Sequence, residues 1–312
     1  MQTIRLAVFP GGFNWPLWVA EELGYFAGQR VEVLVTPIAG SVEQFTGLIQ
    51  GQQDLAITLF DNLIAYSEGQ GEVLLACEDL VALMASDTRV YPALVTAPYI
   101  KSYGDLRGQV LAVDAKLTGY AIVLYAMLEA GGLTTGDYII ESVGGVQQRY
   151  QALLEGRHAG ALFNSPFEGL LVSKGYNLLE TAAGVVGQYQ GQVLATRRSW
   201  LRDNDAAVLG FMRALLSALS WIYEPANMTR ALDIFVERQP GASIDSARTA
   251  FEVLFNANTG MPINGALNLE GVRTAAKLRE RFGVPRKQLL RSMENYLEPA
   301  YLEHALASLA RT

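Results

Sequence analysis

Five short stretches, residues 10–15, 38–41, 58–61, 114–120 and 164–167, hold side chains that can hydrogen-bond or stack on a small molecule. Asn14, Ser41, Thr58, Thr118, Asn164 and Ser165 supply amides and hydroxyls, with Gly40 and Gly119 beside them. Phe13, Trp15, Phe60, Tyr120 and Phe167 add aromatic surface, suited to stacking on a flat or apolar body. Asp61 and Lys116 are the charged members: Asp61 suits an amino or ring N–H, and Lys116 a carboxylate or sulfonate. No arginine lies in these stretches, so a small oxyanion held by a guanidinium fork is not expected. Proton carriers are scarce, and if the chain were an enzyme only Asp61 and Lys116 would be placed to act as acid or base. The competing reading takes each hydroxyl as a helix cap, contributing about 1 kcal/mol, and each ring as core. Capping and ligand contact are compatible.

Other chemistries have little support. The single cysteine, Cys77, lies in apolar Leu74-Leu-Ala-Cys77 and reads as a small buried hydrophobe. It excludes an internal disulfide and a cysteine-based zinc cluster, and His158 and His304 stand too far apart to suggest a metal site or a triad. Neither Gly-x-x-x-x-Gly-Lys nor Gly-x-Gly-x-x-Gly occurs, so nucleotide hydrolysis and dinucleotide binding are not expected, and no cofactor is called for. The net charge of −7 is uneven, −8 over residues 1–100 and +3 over residues 197–312. The basic last third alternates in sign along helix-like segments, the pattern of a solvated face, so nucleic acid is not the expected partner. No run of about 18 apolar residues suggests a membrane span. No signal-peptide pattern follows Met1, so the chain is expected to be periplasmic or in the cell envelope if a signal was removed, and cytoplasmic if Met1 is the native start.

The elements that position these stretches alternate. Residues 4–9, 31–37 and 55–59 read as strands. Asn14 before Pro16 opens a helix to residue 24, and Ser41 with Gln44 has capping-box spacing. Asp61-Asn62 could cap a further helix, and residues 74–86 and 92–97 read as strands leading out of the unit. A second unit follows with strands at 110–113, 138–143 and 159–163, helices after Lys116 and over 146–155, and a second capping box at Ser165-Pro-Phe-Glu168. From residue 199 the chain is largely helical, broken at Pro225, Pro240-Gly241 and Pro262. At 312 residues it can build two cores, at roughly 150 residues each. Strand–helix alternation implies an α/β fold with parallel-type sheets, whose ligands sit beyond the carboxyl ends of the strands.

Ala20-Glu-Glu-Leu-Gly-Tyr-Phe26 ahead of Val31-Glu-Val33, Gly51-Gln-Gln-Asp-Leu-Ala56, Asp105-Leu-Arg-Gly108, Ala152-Leu-Leu-Glu-Gly156 and Trp221-Ile-Tyr-Glu-Pro225 carry a resemblance. The chain resembles the type II periplasmic solute-binding protein fold, in its nitrate, sulfonate, taurine and thiamine-pyrimidine (NMT1/THI5-like) branch. The resemblance implies a two-lobed α/β fold. Lobe I would comprise residues 1–87 and 198–312 and lobe II residues 98–188, with hinge crossovers at 88–97 and 189–197. It also implies a small organic ligand in the interlobe cleft, an ABC permease as partner, and a monomeric carrier. The alternative is an intracellular enzyme or sensor on the same fold. His158-Ala159 stands where relatives often carry an aspartate, and the cysteine-rich motif of the fungal pyrimidine synthases is absent.

Overall fold

Leu80–Ala85 is apolar at every position and buried at every position, as a strand covered on both faces must be. Segments of this kind build two five-stranded sheets in the computed structural model, which describes residues 1–89, 92–164, 167–256 and 260–310, apart from the side chains of Arg291 and Ser292. The chain runs β1 (Gln2–Val8), α1 (Trp15–Glu22), α2 (Tyr25–Gly28), β2 (Val31–Pro37), α3 (Ser41–Ile49), β3 (Leu55–Leu59), α4 (Phe60–Ser67) and β4 (Leu80–Ala85). It continues through β5 (Ala93–Thr96), β6 (Val110–Val113), α5 (Gly119–Ala130), β7 (Ile139–Ser142), α6 (Val146–Leu154), β8 (Gly160–Phe163), α7 (Phe167–Val172), β9 (Asn177–Thr181), α8 (Ala182–Val186) and β10 (Gln192–Arg197). The remainder is helical: α9 (Arg198–Tyr223), α10 (Met228–Arg238), α11 (Ile244–Leu254), α12 (Leu269–Phe282) and α13 (Ala300–Leu309).

The first sheet has the order β2-β1-β3-β10-β4 and the second β7-β6-β8-β5-β9. The result is a two-lobed α/β fold of type II. Its sheets are not wholly parallel: β10 runs antiparallel to β3 and β4, and β5 antiparallel to β8 and β9. Each exception is the strand that begins a lobe after the chain has crossed from the other. The expected hinge spans took in these two strands; the chain passes between the sheets after β4 and again before β10, and residues 86–89 and 187–191 are described parts of those crossings.

Several local expectations need correction. Residues 74–79 are not strand, and Leu74 stands fully exposed. Helix α3 is capped by Gly40 rather than Ser41, and Gln44 turns inward to donate to the carbonyls of Ala7 (3.2 Å) and Ile57 (3.0 Å). The caps of α4 are not Asp61 and Asn62, for its N-cap is Leu59 with no side-chain bond. The second capping box involves Ser165 and Pro166, which lie outside the described residues.

One core packs α1, α2 and α9 against the first sheet. By length and composition α9 is apolar enough to cross a membrane, and its apolar side is spent on this core, including Val208, Phe211, Leu215 and Leu219. It bends at Asn204, whose side-chain amide donates to the Trp200 carbonyl 2.9 Å away. A second core joins the lobes, holding Phe45, Phe60 and Ile64 from the first with Leu111, Val123 and Leu124 from the second. Helix α12 packs on both α4 and α5. It carries Arg279, fully buried, whose Nε donates to Asp61 Oδ1 at 3.0 Å and whose second terminal nitrogen bonds Asp61 Oδ2. The same guanidinium donates to the Leu117 carbonyl at 2.9 Å and the Gln70 carbonyl at 3.4 Å.

Candidate functional site

Two helices that begin at glycine turns face each other across the lobes. Helix α3 starts after Gly40 and α6 after Gly144-Gly145, and neither N-cap supplies a side-chain bond. Their first-turn N–H groups are left for another acceptor, at the positive ends of the two helix dipoles. The approach is close: a Cβ on Gly145 would lie 3.0 Å from the Ala39 carbonyl oxygen. Gly145 has φ −61°, a conformation open to any residue, so space alone requires it to be small: the Ala39 carbonyl of the opposite lobe and, at 3.1 Å, the flexible end of the Gln148 side chain. Gly145→Val should therefore weaken ligand affinity about tenfold by holding the lobes apart, at an overpacking cost of about 1–3 kcal/mol in the closed state. Titration calorimetry beside thermal melting checks this, and an equal loss of stability would point to damage within a lobe instead.

A cavity of about 1060 Å³ adjoins this junction, with Phe13, Asn14, Asn164 and Phe167 on its wall. Ala39 and Gly145 also line it, and it extends outward past Trp18 and Val35. Four of the residues expected at the site are thus brought together, with Gly40 and Ser41 next in the chain to Ala39. Tyr120 joins them through its hydroxyl, which accepts from the Asn164 side-chain amide at 3.4 Å. Burial pushes the Tyr120 phenol well above its ordinary range. Several buried polar atoms have no hydrogen-bond partner among the described residues: Asn14 Oδ1, Thr58 Oγ1, Gln192 Oε1 and the Tyr189 hydroxyl. Asn14 and Thr58 follow β1 and end β3, where parallel-type sheets present their ligands.

Other expected residues are committed elsewhere. Trp15 is fully buried; its indole N–H donates to the Ala231 carbonyl at 3.0 Å and its ring lies 4.4 Å from that of Phe235. Phe60 is fully buried with its edge towards Tyr296. Both oxygens of Asp61 accept from Arg279 in a fully buried pair, which commits the carboxylate to that contact. Lys116 is exposed, and its backbone carbonyl accepts from the Tyr125 hydroxyl. Thr118 caps α5 by accepting from the Ala121 amide, and its own hydroxyl reaches Asp114 Oδ1 at 2.6 Å. Gly119 is wedged between lobes, its amide donating to Asn62 Oδ1 at 2.7 Å. Trp15→Phe should lower unfolding free energy by about 1–3 kcal/mol, through the lost hydrogen bond and volume, and leave ligand affinity unchanged. Denaturant unfolding with a parallel binding titration checks both.

The residue that the loops did not reveal is Arg149, in the first turn of α6. It is 3 % exposed, its Nε has no hydrogen-bond partner, and among the described residues no carboxylate lies within ion-pair distance. Burial lowers its pKa, while the charge of Asp114 and the Tyr120 phenol act in the opposite sense. A desolvated guanidinium with no carboxylate in ion-pair contact is costly, and the more distant charge of Asp114 offsets that cost only in part. Arg149 follows Val146, Gln147 and Gln148, which line the cavity, but is not itself among the lining residues.

The family model described as NMT1/THI5 like matches residues 14–227. No curated protein matches at the level of sequence. Among solved structures, a protein of Bordetella bronchiseptica RB50 is similar at 19% identity and TM-score 0.81, over 99% of this chain and 98% of that one. The periplasmic nitrate-binding protein NrtA from Synechocystis PCC 6803 is similar at 15% identity and TM-score 0.81, over 99% and 89%. The alkanesulfonate-binding protein SsuA from Xanthomonas axonopodis pv. citri bound to MOPS is similar at 14% identity and TM-score 0.72, over 98% of each chain. At such identities the likeness establishes the fold.

Proposed function

The chain belongs to the NMT1/THI5-like family, and on that premise we propose that it is the solute-binding component of an ABC-type uptake system. Its solute is a small organic acid, a carboxylate or sulfonate with a planar or apolar body, held between the lobes. The observation that carries this reading is Arg149, a buried guanidinium beside the cavity-lining turn of α6 with no carboxylate within ion-pair distance among the described residues. The facing N-termini of α3 and α6 add partial positive charge where the acid group would lie. Phe9, Phe13, Trp18 and Phe167 along the cavity suit an organic body, and a volume of about 1060 Å³ exceeds the need of a bare inorganic anion. The nitrate-binding and alkanesulfonate-binding neighbours support an oxyanion head, and the periplasmic setting of the former supports a cell-envelope location and an ABC permease as partner.

The reading is tested by thermal-shift screening against alkane- and arylsulfonates, aromatic carboxylates, aminopyrimidines and nitrate. An organic acid should raise the melting temperature most. After long incubation with stoichiometric protein, mass analysis should recover it unaltered. A new product would replace the carrier with an enzyme, and a preference for neutral or cationic compounds would remove the anion.

A further inference from the structure

The chain leaves the first sheet after β4 through residues 86–89 and returns to it before β10 through residues 187–191. The two crossings are tied to each other. The Ser86 and Asp87 amides donate to the Gln192 carbonyl at 2.8 and 3.2 Å, and the Gln192 amide donates to Asp87 Oδ1 at 2.8 Å. The Gln190 side-chain amide donates to the Asp87 carbonyl at 2.6 Å. A Cβ on Gly191 would lie 1.7 Å from Asp87 Oδ1, so the carboxyl fills space that any other residue there would need. Asp87 is 3 % exposed and has no cation within ion-pair distance among the described residues. The titratable groups facing it are Tyr120 from α5 and Tyr189 from the returning crossing, both buried phenols, with Arg89 in its own segment. Asp114 and Arg149 also act on Tyr120, and Asp61 and Arg279 on Tyr189.

We propose that Asp87 couples closure of the two lobes to proton uptake, as a positioning residue for capture of the solute. The carboxyl sits where both crossings meet, so packing them removes its water. Opening them returns it. Burial raises its pKa from the ordinary 3.8 to about 8, against the Gln192 and Arg89 amides, which favour the carboxylate. Because the folded value is raised, the contribution of Asp87 to the closed form is complete below about pH 4 and is lost as pH rises through about 8. The Tyr120 and Tyr189 phenols stay neutral across that window, since burial raises both.

Two arms need no ligand, and only the third rests on the function proposed above. In carboxyl ¹³C NMR, one aspartate signal should titrate near pH 8 and be missing from Asp87→Asn. If the signal missing from Asp87→Asn titrates below pH 5, the proposal is overturned. In small-angle X-ray scattering of the free chain, the radius of gyration should grow between about pH 5 and 8 for wild type and stay constant for Asp87→Asn, which keeps the side-chain oxygen as acceptor. Equal behaviour of the two chains overturns the proposal. Affinity for the probe benzenesulfonate should fall by up to about tenfold per pH unit between about pH 5 and 8 in wild type, level off above that, and stay flat in Asp87→Asn. Absence of binding at every pH would count against the carrier reading, while the first two arms would still decide the role of Asp87.

Discussion

Asp61→Asn should lower unfolding free energy by about 3–5 kcal/mol, because it leaves Arg279 charged in a site without solvent. The pair is fully buried on both sides, and the guanidinium holds three elements at once: Asp61 on α4, the Leu117 carbonyl before α5 and the Gln70 carbonyl after α4. Losing it should loosen the lobes as well as the fold. Replacing both partners together, Asp61→Leu with Arg279→Met, removes the charge along with its counter-ion and should recover most of the loss. Chemical denaturation of the single and double variants checks this. A single variant within about 0.5 kcal/mol of wild type would show that the pair does not bear the weight assigned to it.

Arg149→Met should act in the opposite way. Ligand affinity should fall by about 2–5 kcal/mol, thirtyfold or more, as for truncating one side of a desolvated charge pair. Stability without ligand should stay level or rise, since an unpaired buried charge is replaced by an apolar side chain of similar length. Affinity lost while stability is kept marks a residue held for binding. If instead Arg149→Met destabilised the free chain, the guanidinium would be part of the core. Calorimetric titration and thermal melting of one preparation distinguish the two outcomes.

The strand–helix order was legible because it depends on local pattern. The apolar run Leu55–Leu59 follows a polar turn, and Gly131-Gly132 closes α5. Strand direction was less legible, since β5 and β10 look like any other apolar run and only the double crossing of the chain reverses them. Ser41 had the composition of a cap, but the chain turns one residue earlier, at Gly40. Asn14, Asn164, Phe13 and Phe167 reach one cavity because the strand-end rule holds. Trp15 obeys the same rule by position and breaks it by direction, turning into α10 and α11. Asp61 meets a partner 218 residues away, a pairing no spacing announces. Arg149 left one trace: it is the only charge in Val146–Leu154, in the turn after a double glycine.

The central claim is that the cleft selects an organic anion through Arg149. The most direct measurement is calorimetric titration of wild-type protein with the best-binding acid from the screen and, separately, with its uncharged amide of the same shape. The acid should bind at least thirtyfold more tightly, with the difference largely abolished in Arg149→Met. Equal affinity for acid and amide, or a preference for the acid that survives Arg149→Met, would contradict it.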